Sequence, residues 1–251
     1  MIEKYLVKKI TEPVDWKITV PGSKSMTNRA LLMAVLSAGT VRVEGVLFSD
    51  DSRHFLACLV ALGFTVEIEE EKKCVTVTGC GGRIPRGEAV IDVGSAGTAA
   101  RFLAAMLGFS DGCYEIRCSA QMKRRPMAEL FDLLSGAGAK ITFLEEEGHL
   151  PVRITGCRYA RADKTAGETP RELSLDITKS TQFLSALLLI APMVPEGMKI
   201  HITSEKTDGS YIRITRKMMQ EFGVSVAFDG RDYEVPCRSS YRKETYMVEP
   251  D

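Results

Sequence analysis

Three helix-length apolar runs recur along this chain, and each is entered through a short knot of Ser, Thr and Gly. The first knot reads Pro21-Gly22-Ser23-Lys24-Ser25-Met26-Thr27-Asn28-Arg29. The second, Gly94-Ser95-Ala96-Gly97-Thr98, leads through Arg101 into Phe102-Leu103-Ala104-Ala105-Met106-Leu107. The third, Lys179-Ser180-Thr181-Gln182, leads into Phe183-Leu184-Ser185-Ala186-Leu187-Leu188-Leu189-Ile190. A helix apolar on nearly every face must be buried on every side. A chain with three of them therefore needs an outer shell, and self-similarity at a long period points to a repeated supersecondary unit.

The shell can be followed in the sequence. Behind the first run come Gly39, a strand Thr40–Val43, an amphipathic helix from Asp51 to Leu62, Gly63, and strands Phe64–Ile68 and Cys74–Thr78. The second unit continues with Cys113–Arg117, a helix opening at Pro126, Gly138, Ala139–Phe143 and Val152–Gly156. The third gives Met198–Ile202, a helix from about Tyr211 to Phe222, Gly223, and strands Val224–Phe228 and Asp232–Val235. The second helix of each unit spaces its apolar residues at three and four, as a half-exposed helix does. These patterns predict an α/β fold: one pseudo-threefold domain over residues 20–238, built of three βαβαββ units around buried parallel inner helices. A strand is expected before each inner helix, and the inner helices are expected to start near Ser25, Thr98 and Thr181.

Parallel inner helices would gather their N-termini on one face. A helix start offers free backbone N–H groups and the positive end of the dipole to an anion. Ser23 and Ser25 add hydroxyls there, and Lys24 and Arg29 add charge. Arg29 follows Ser25 at i+4 and so shares its face. For one such knot the plain reading is an N-cap serine with solvated basic neighbours; the recurrence, with Arg101 and Lys123-Arg124-Arg125 nearby, favours an anion site. The knot is not a phosphate-binding loop of the G-x-x-x-x-G-K type, since Ser23 precedes Lys24.

Composition narrows the class. With 251 residues, 45% of them hydrophobic, the chain can bury a full core, and its zero formal net charge argues against a nucleic-acid partner. Seven cysteines without a C-x-x-C pair suit reduced thiols and a cytoplasmic location. His54, His149 and His201 have no ligand spacing, so no metal is expected. No transmembrane run predicts a membrane partner.

The motifs also resemble a known family. Pro21-Gly22-Ser23-Lys24-Ser25 with Asn28-Arg29-Ala30, Ala96-Gly97-Thr98-Ala99 with Arg101, Met122-Lys123-Arg124-Arg125-Pro126-Met127 and Ser180-Thr181-Gln182-Phe183 are similar, in order, to the signature of the enolpyruvylshikimate-phosphate synthases. The resemblance implies transfer of a carboxyvinyl group from phosphoenolpyruvate to shikimate 3-phosphate with release of phosphate, without a cofactor, in a fold of two similar domains. It implies that Lys24 reaches both substrates at the reacting centre, that Ser25 and Arg29 hold shikimate 3-phosphate, and that Gly97 and Arg125 hold phosphoenolpyruvate. Ser180 and Thr181 would take the ring phosphate, Gln182 would approach both substrates, and Tyr211 would line the shikimate side. Thr207-Asp208-Gly209-Ser210 departs from the family pattern, as do Ser95 and Phe102. Family chains are much longer. The resemblance therefore places residues 1–19 and 239–251 with a second, missing C-terminal domain, as strands without a home sheet, and implies that this chain binds substrate without turning it over. The alternatives are a nucleotide-sugar enolpyruvyl transferase, against which Lys24-Ser25 and the Gln121–Pro126 run argue, and a non-catalytic module that captures phosphorylated ligands.

Overall fold

The computed structural model describes residues 6–18, 20–157 and 169–250. Three helices form its centre: α1 (Lys24–Leu36), α3 (Gly97–Gly108) and α6 (Thr181–Ile190). Their starts match the expected ones to within a residue. From Met26 to Leu36, α1 is buried at every position, and α6 is buried from Phe183 to Ile190. Around them lie α2 (Asp50–Ala61), α5 (Ala128–Gly136) and α7 (Ser210–Glu221), each burying one stripe only. In α7 that stripe is Ile212, Thr215, Met218 and Met219, the i, i+3, i+7 spacing of a helix lying on a core. After each outer helix Gly63, Gly138 and Gly223 take φ of +91°, +99° and +90°. That left-handed turn ends a helix, and glycine adopts it without a Cβ penalty.

Three mixed four-stranded sheets close the outside. They are built from β1 (Thr40–Glu44), β2 (Thr65–Glu69), β3 (Cys74–Thr78), β4 (Glu88–Asp92), β5 (Cys113–Arg117), β6 (Lys140–Phe143), β7 (Val152–Thr155), β8 (Arg171–Leu175), β9 (Met198–Ile202), β10 (Ala227–Phe228), β11 (Asp232–Val235) and β12 (Thr245–Met247). The orders are β12-β1-β3-β2, β4-β5-β7-β6 and β8-β9-β11-β10. In each sheet the first pair is parallel and the other two are antiparallel. One pattern repeated three times is the pseudo-threefold arrangement that the sequence predicts.

Two expectations need correction. Among the described residues no strand precedes α1; residues 6–18 form none, and Leu6, Val7, Trp16 and Ile18 stand exposed. The vacant edge of the first sheet is filled by β12, which runs parallel to β1 with Val43 opposite Tyr246. So residues 239–250 of the segment 239–251, expected to have no sheet here, pack on this body: Tyr241, Tyr246 and Val248 are buried, and Tyr241 Oη donates to the Leu189 carbonyl at 2.8 Å. The physical reason is that β1 would otherwise leave its hydrogen-bonding edge open beside the apolar core. Residues 1–5, Thr19 and Asp251 of the expected outer segments, and 158–168 of the expected domain, lie outside the described residues. The second correction is local. Pro126 does not open α5; Met127 caps it, and a single turn, α4 (Ala120–Lys123), precedes it.

Candidate functional site

Arg29 leaves α1 toward α6 and α7 and is only 1% exposed. Its Nε donates to Thr215 Oγ1 at 2.8 Å, and Nη1 donates to the Ser25 carbonyl at 2.9 Å. Nη2 reaches Ser185 Oγ at 3.3 Å and the Tyr211 carbonyl at 3.5 Å. The guanidinium lies 5.4 Å from the Phe102 ring centre and 5.7 Å from that of Tyr211. Every partner is neutral. Burial pushes the guanidinium down to about 10, opposed in small part by the Tyr211 phenol. A buried cation without a counter-charge is a standing cost to the fold.

Arg101, 6% exposed, repeats the theme on α3. Nη1 donates to the Gly97 carbonyl and to Gln182 Oε1, each at 3.0 Å, and Nη2 to the Pro126 carbonyl at 3.4 Å. The Phe183 ring centre lies 5.4 Å from it. Its pKa too falls to about 10, through burial first and the nearby Arg125 charge second. Gly97 permits this crowding: a methyl group on its Cα would stand 2.4 Å from Arg125 Nη1 and 2.8 Å from Arg101 Nη1. The turn that carries Arg125 is pinned to the second knot, since Ser119 N donates to the Gly94 carbonyl at 3.0 Å and the Ser95 and Ser119 hydroxyls lie 2.7 Å apart.

The third knot meets the second directly. Gln182 Nε2 lies 3.3 Å from Thr98 Oγ1, while Ser180 Oγ caps α6 by accepting from Gln182 N at 3.2 Å. Thr181 opens α6 beside Gly209, the N-cap residue of α7. Tyr211, 51% exposed, covers Arg29 from that helix. Lys24, at the first turn of α1, pairs with Asp51 Oδ2 at 3.3 Å, and Ser25 Oγ lies 3.3 Å from Ser23 Oγ. A cavity of about 420 Å3 opens between the start of α2 and the second knot, lined by Asp51, His54 and Ser95 among others.

The nine expected residues thus fall into linked groups. Ser25, Arg29 and Tyr211 form one; Gly97, Arg125 and Gln182 form another; Ser180 and Thr181 lie at the start of α6, which contributes to both. Phe102, next to Arg101 in the chain, touches Arg29 and joins the two groups. Lys24 stands to one side with Asp51. Sequence reasoning missed Asp51, Thr215 and Ser185. A lone serine inside the apolar run Phe183–Ile190 was the available signal for the last. Asn28 is fully buried, and neither polar atom of its side chain has a partner among the described residues. Among the described residues no group of three or more His, Cys, Asp or Glu side chains could hold a metal ion, and no helix is long and apolar enough to cross a membrane.

Residues 8–251 match the family model for EPSP synthase (3-phosphoshikimate 1-carboxyvinyltransferase). A 3-phosphoshikimate 1-carboxyvinyltransferase of Trichormus variabilis is 35% identical over 243 residues, covering 96% of this chain and 55% of its own length. That of Sulfurovum sp. is 40% identical over 241 residues, covering 95% and 54%. The chain therefore spans about half the length of the curated relatives it matches. An EPSP synthase structure from Acinetobacter baumannii superposes with a TM-score of 0.76 at 24% identity, over 93% of this chain and 49% of that one. The enolpyruvyl transferase NikO of Streptomyces tendae gives 0.63 at 14%, over 96% and 53%. The last two likenesses are of fold. With a family model spanning nearly the whole sequence and relatives at 35–40% identity, the chain belongs to the EPSP synthase family.

Proposed function

We propose that this chain is the shikimate 3-phosphate-binding half of a carboxyvinyl transferase, and that by itself it binds this substrate without turnover. The observation that carries the reading is the pair of buried guanidiniums, Arg29 and Arg101, set at adjoining helix starts with no carboxylate partner among the described residues. Uncompensated cations beside free N–H groups suit an anionic ligand. In this reading Ser25 and Arg29 hold shikimate 3-phosphate. The two contacts of Arg29 Nη2, at 3.3 and 3.5 Å, are the longest it makes and are the ones a ligand oxygen replaces. Ser180 and Thr181 take the ring phosphate at the start of α6. Tyr211 lines the same side, Gln182 approaches both substrates, and Lys24 exchanges Asp51 for the reacting centre. Gly97 and Arg125 receive phosphoenolpyruvate.

The whole reaction joins the substrate hydroxyl oxygen to the enolpyruvyl carbon and releases phosphate. It needs proton-transfer groups, each commonly worth about 10²–10⁴-fold in rate, and a closed, water-free cleft. Both are assigned to the further domain of the longer relatives, which is also the proposed partner of this chain. Calorimetry of the purified chain tests the reading. Shikimate 3-phosphate should bind and phosphoenolpyruvate alone should bind far more weakly, with no phosphate released from the mixture. Tighter binding of phosphoenolpyruvate, or turnover at the rate of a full-length relative, would overturn it.

A further inference from the structure

The hydrogen bonds at this site have a direction as well as a geometry. A glutamine amide has nearly the same shape at its two ends, so its partners decide which end faces which. A guanidinium can only donate. Arg101 Nη1, 3.0 Å from the Gln182 side chain, therefore holds the amide oxygen toward itself. The amide nitrogen is turned toward Thr98 Oγ1 at 3.3 Å. Thr98 accepts there, which leaves its own hydroxyl proton to point elsewhere, and Gln182 keeps a second amide proton. A chain that begins at a buried cation thus ends in donors at the starts of α3 and α6.

We propose that Arg101 is a positioning residue: by fixing the sense of the Gln182–Thr98 pair, it makes the junction of α3 and α6 present donors alone and so select an anionic oxygen, phosphate or carboxylate. The proposal rests on the reading above that Gln182 meets substrate oxygens. Two further observations support it. The same guanidinium grips the Gly97 and Pro126 carbonyls, so it spans the second knot and the residue next to Arg125. It is also almost wholly buried against Phe183, which leaves it no freedom to act as a ligand-chasing surface charge. If a neutral residue stood in its place, Gln182 could turn over and offer its oxygen, which repels an anion.

The test compares Arg101→Gln and Arg101→Lys, each with Gln182 intact and with Gln182→Ala, in this chain. Calorimetry reads shikimate 3-phosphate affinity, thermal unfolding reads stability, and NMR reads the contact between the Gln182 side-chain amide protons and the Thr98 methyl group. Arg101→Gln should weaken binding by about tenfold or more, the scale of one hydrogen bond to a charged group. Arg101→Lys should recover part of this, because it keeps the charge and a donor without the fork. With Gln182→Ala the Arg101→Gln loss should shrink to roughly twofold, since the coupled partner is gone. The amide-to-methyl contact should be present in the parent and lost in Arg101→Gln. A loss of equal size in the Gln182→Ala background, or an unchanged contact in Arg101→Gln, overturns the proposal and leaves Arg101 a packing residue. Should the parent fail to bind shikimate 3-phosphate, the functional reading falls, and the NMR contact still decides the role of Arg101.

Discussion

Cations on the sheets and the two buried arginines near the inner-helix starts keep opposite company. On β1, Arg42 pairs with Glu44 at 3.0 Å and Glu69 at 3.1 Å. On β5, Glu115 is gripped by Arg117 at 2.8 Å and by Arg153 at 3.1 Å. On β9, Lys199 pairs with Asp232 at 3.0 Å, and His201 Nδ1 lies 2.6 Å from the same carboxylate. These three strands are equivalent in the repeat, and each carries its own cluster of oppositely charged side chains on the outer surface. At the centre, Arg29 and Arg101 are far better buried and have only neutral partners among the described residues. Exposed pairs contribute little to stability, whereas a buried unpaired charge costs a good deal. The placement is therefore the reverse of what stability alone favours, and the proposed site rests on that contrast.

The sharpest way to break this contrast is to remove the Arg29 charge. Arg29→Met should reduce shikimate 3-phosphate affinity by about a hundredfold, as two charge-assisted hydrogen bonds are lost. Its melting temperature should stay level or rise, because a buried charge gives way to an apolar chain of similar length. Unchanged affinity in calorimetry would remove Arg29 from the site. A large drop in melting temperature would instead show the guanidinium to be a net stabiliser.

A smaller effect is expected among the paired charges of the sheets. The side-chain hydrogen bonds from Arg117 and then Arg153 hold the Glu115 carboxyl below the usual range. A depressed carboxyl pKa gives stability that is complete above the ordinary value and is lost as pH falls through the folded one. Denaturant titrations from about pH 5 to pH 3 should therefore show falling stability, and Glu115→Gln should flatten part of that slope while changing stability at pH 7 by less than about 1 kcal/mol. Arg29→Met should leave the slope in this window as it is. An equal flattening in both variants would erase the distinction between the two regions.

The smallest effect is expected at Tyr211. Its carbonyl and ring face the Arg29 guanidinium, and the ring survives in phenylalanine. Tyr211→Phe should change affinity by less than about threefold, and Tyr211→Ala by several-fold, in keeping with an exposed cation–π contact of about 0.5–1 kcal/mol. A larger loss in Tyr211→Phe would assign the hydroxyl to the ligand.

How far the site could be read from sequence depended on where each residue finds its partners. The inner helices were legible because burial on every face writes itself as an unbroken apolar run, and the glycines after the outer helices marked the repeat. The knots were legible because the anion-friendly residues are adjacent in the chain. Thr215 was not, since its partner Arg29 lies 186 residues away and a threonine on an amphipathic helix carries no mark of it. Asp51 looked like part of an ordinary acidic first turn, and only the fold brings it to Lys24. The three-residue β12 is too short for a period-two pattern to declare itself, and its identity as an edge strand depends on β1, some two hundred positions earlier. Single-turn α4 is hidden for the same reason of length.

That last-placed strand has a consequence for the order of assembly. The second and third sheets draw all four strands from one continuous stretch each, so they can close as their residues emerge from the ribosome. The first sheet cannot, because β1 waits for residues 245–247 to cover its edge. Contacts between distant segments form slowly, since the chain between them must first be organised. Of the twelve strands, β1 is thus the first to be made and among the last to be paired on both edges, and its open edge persists until residues 245–247 follow.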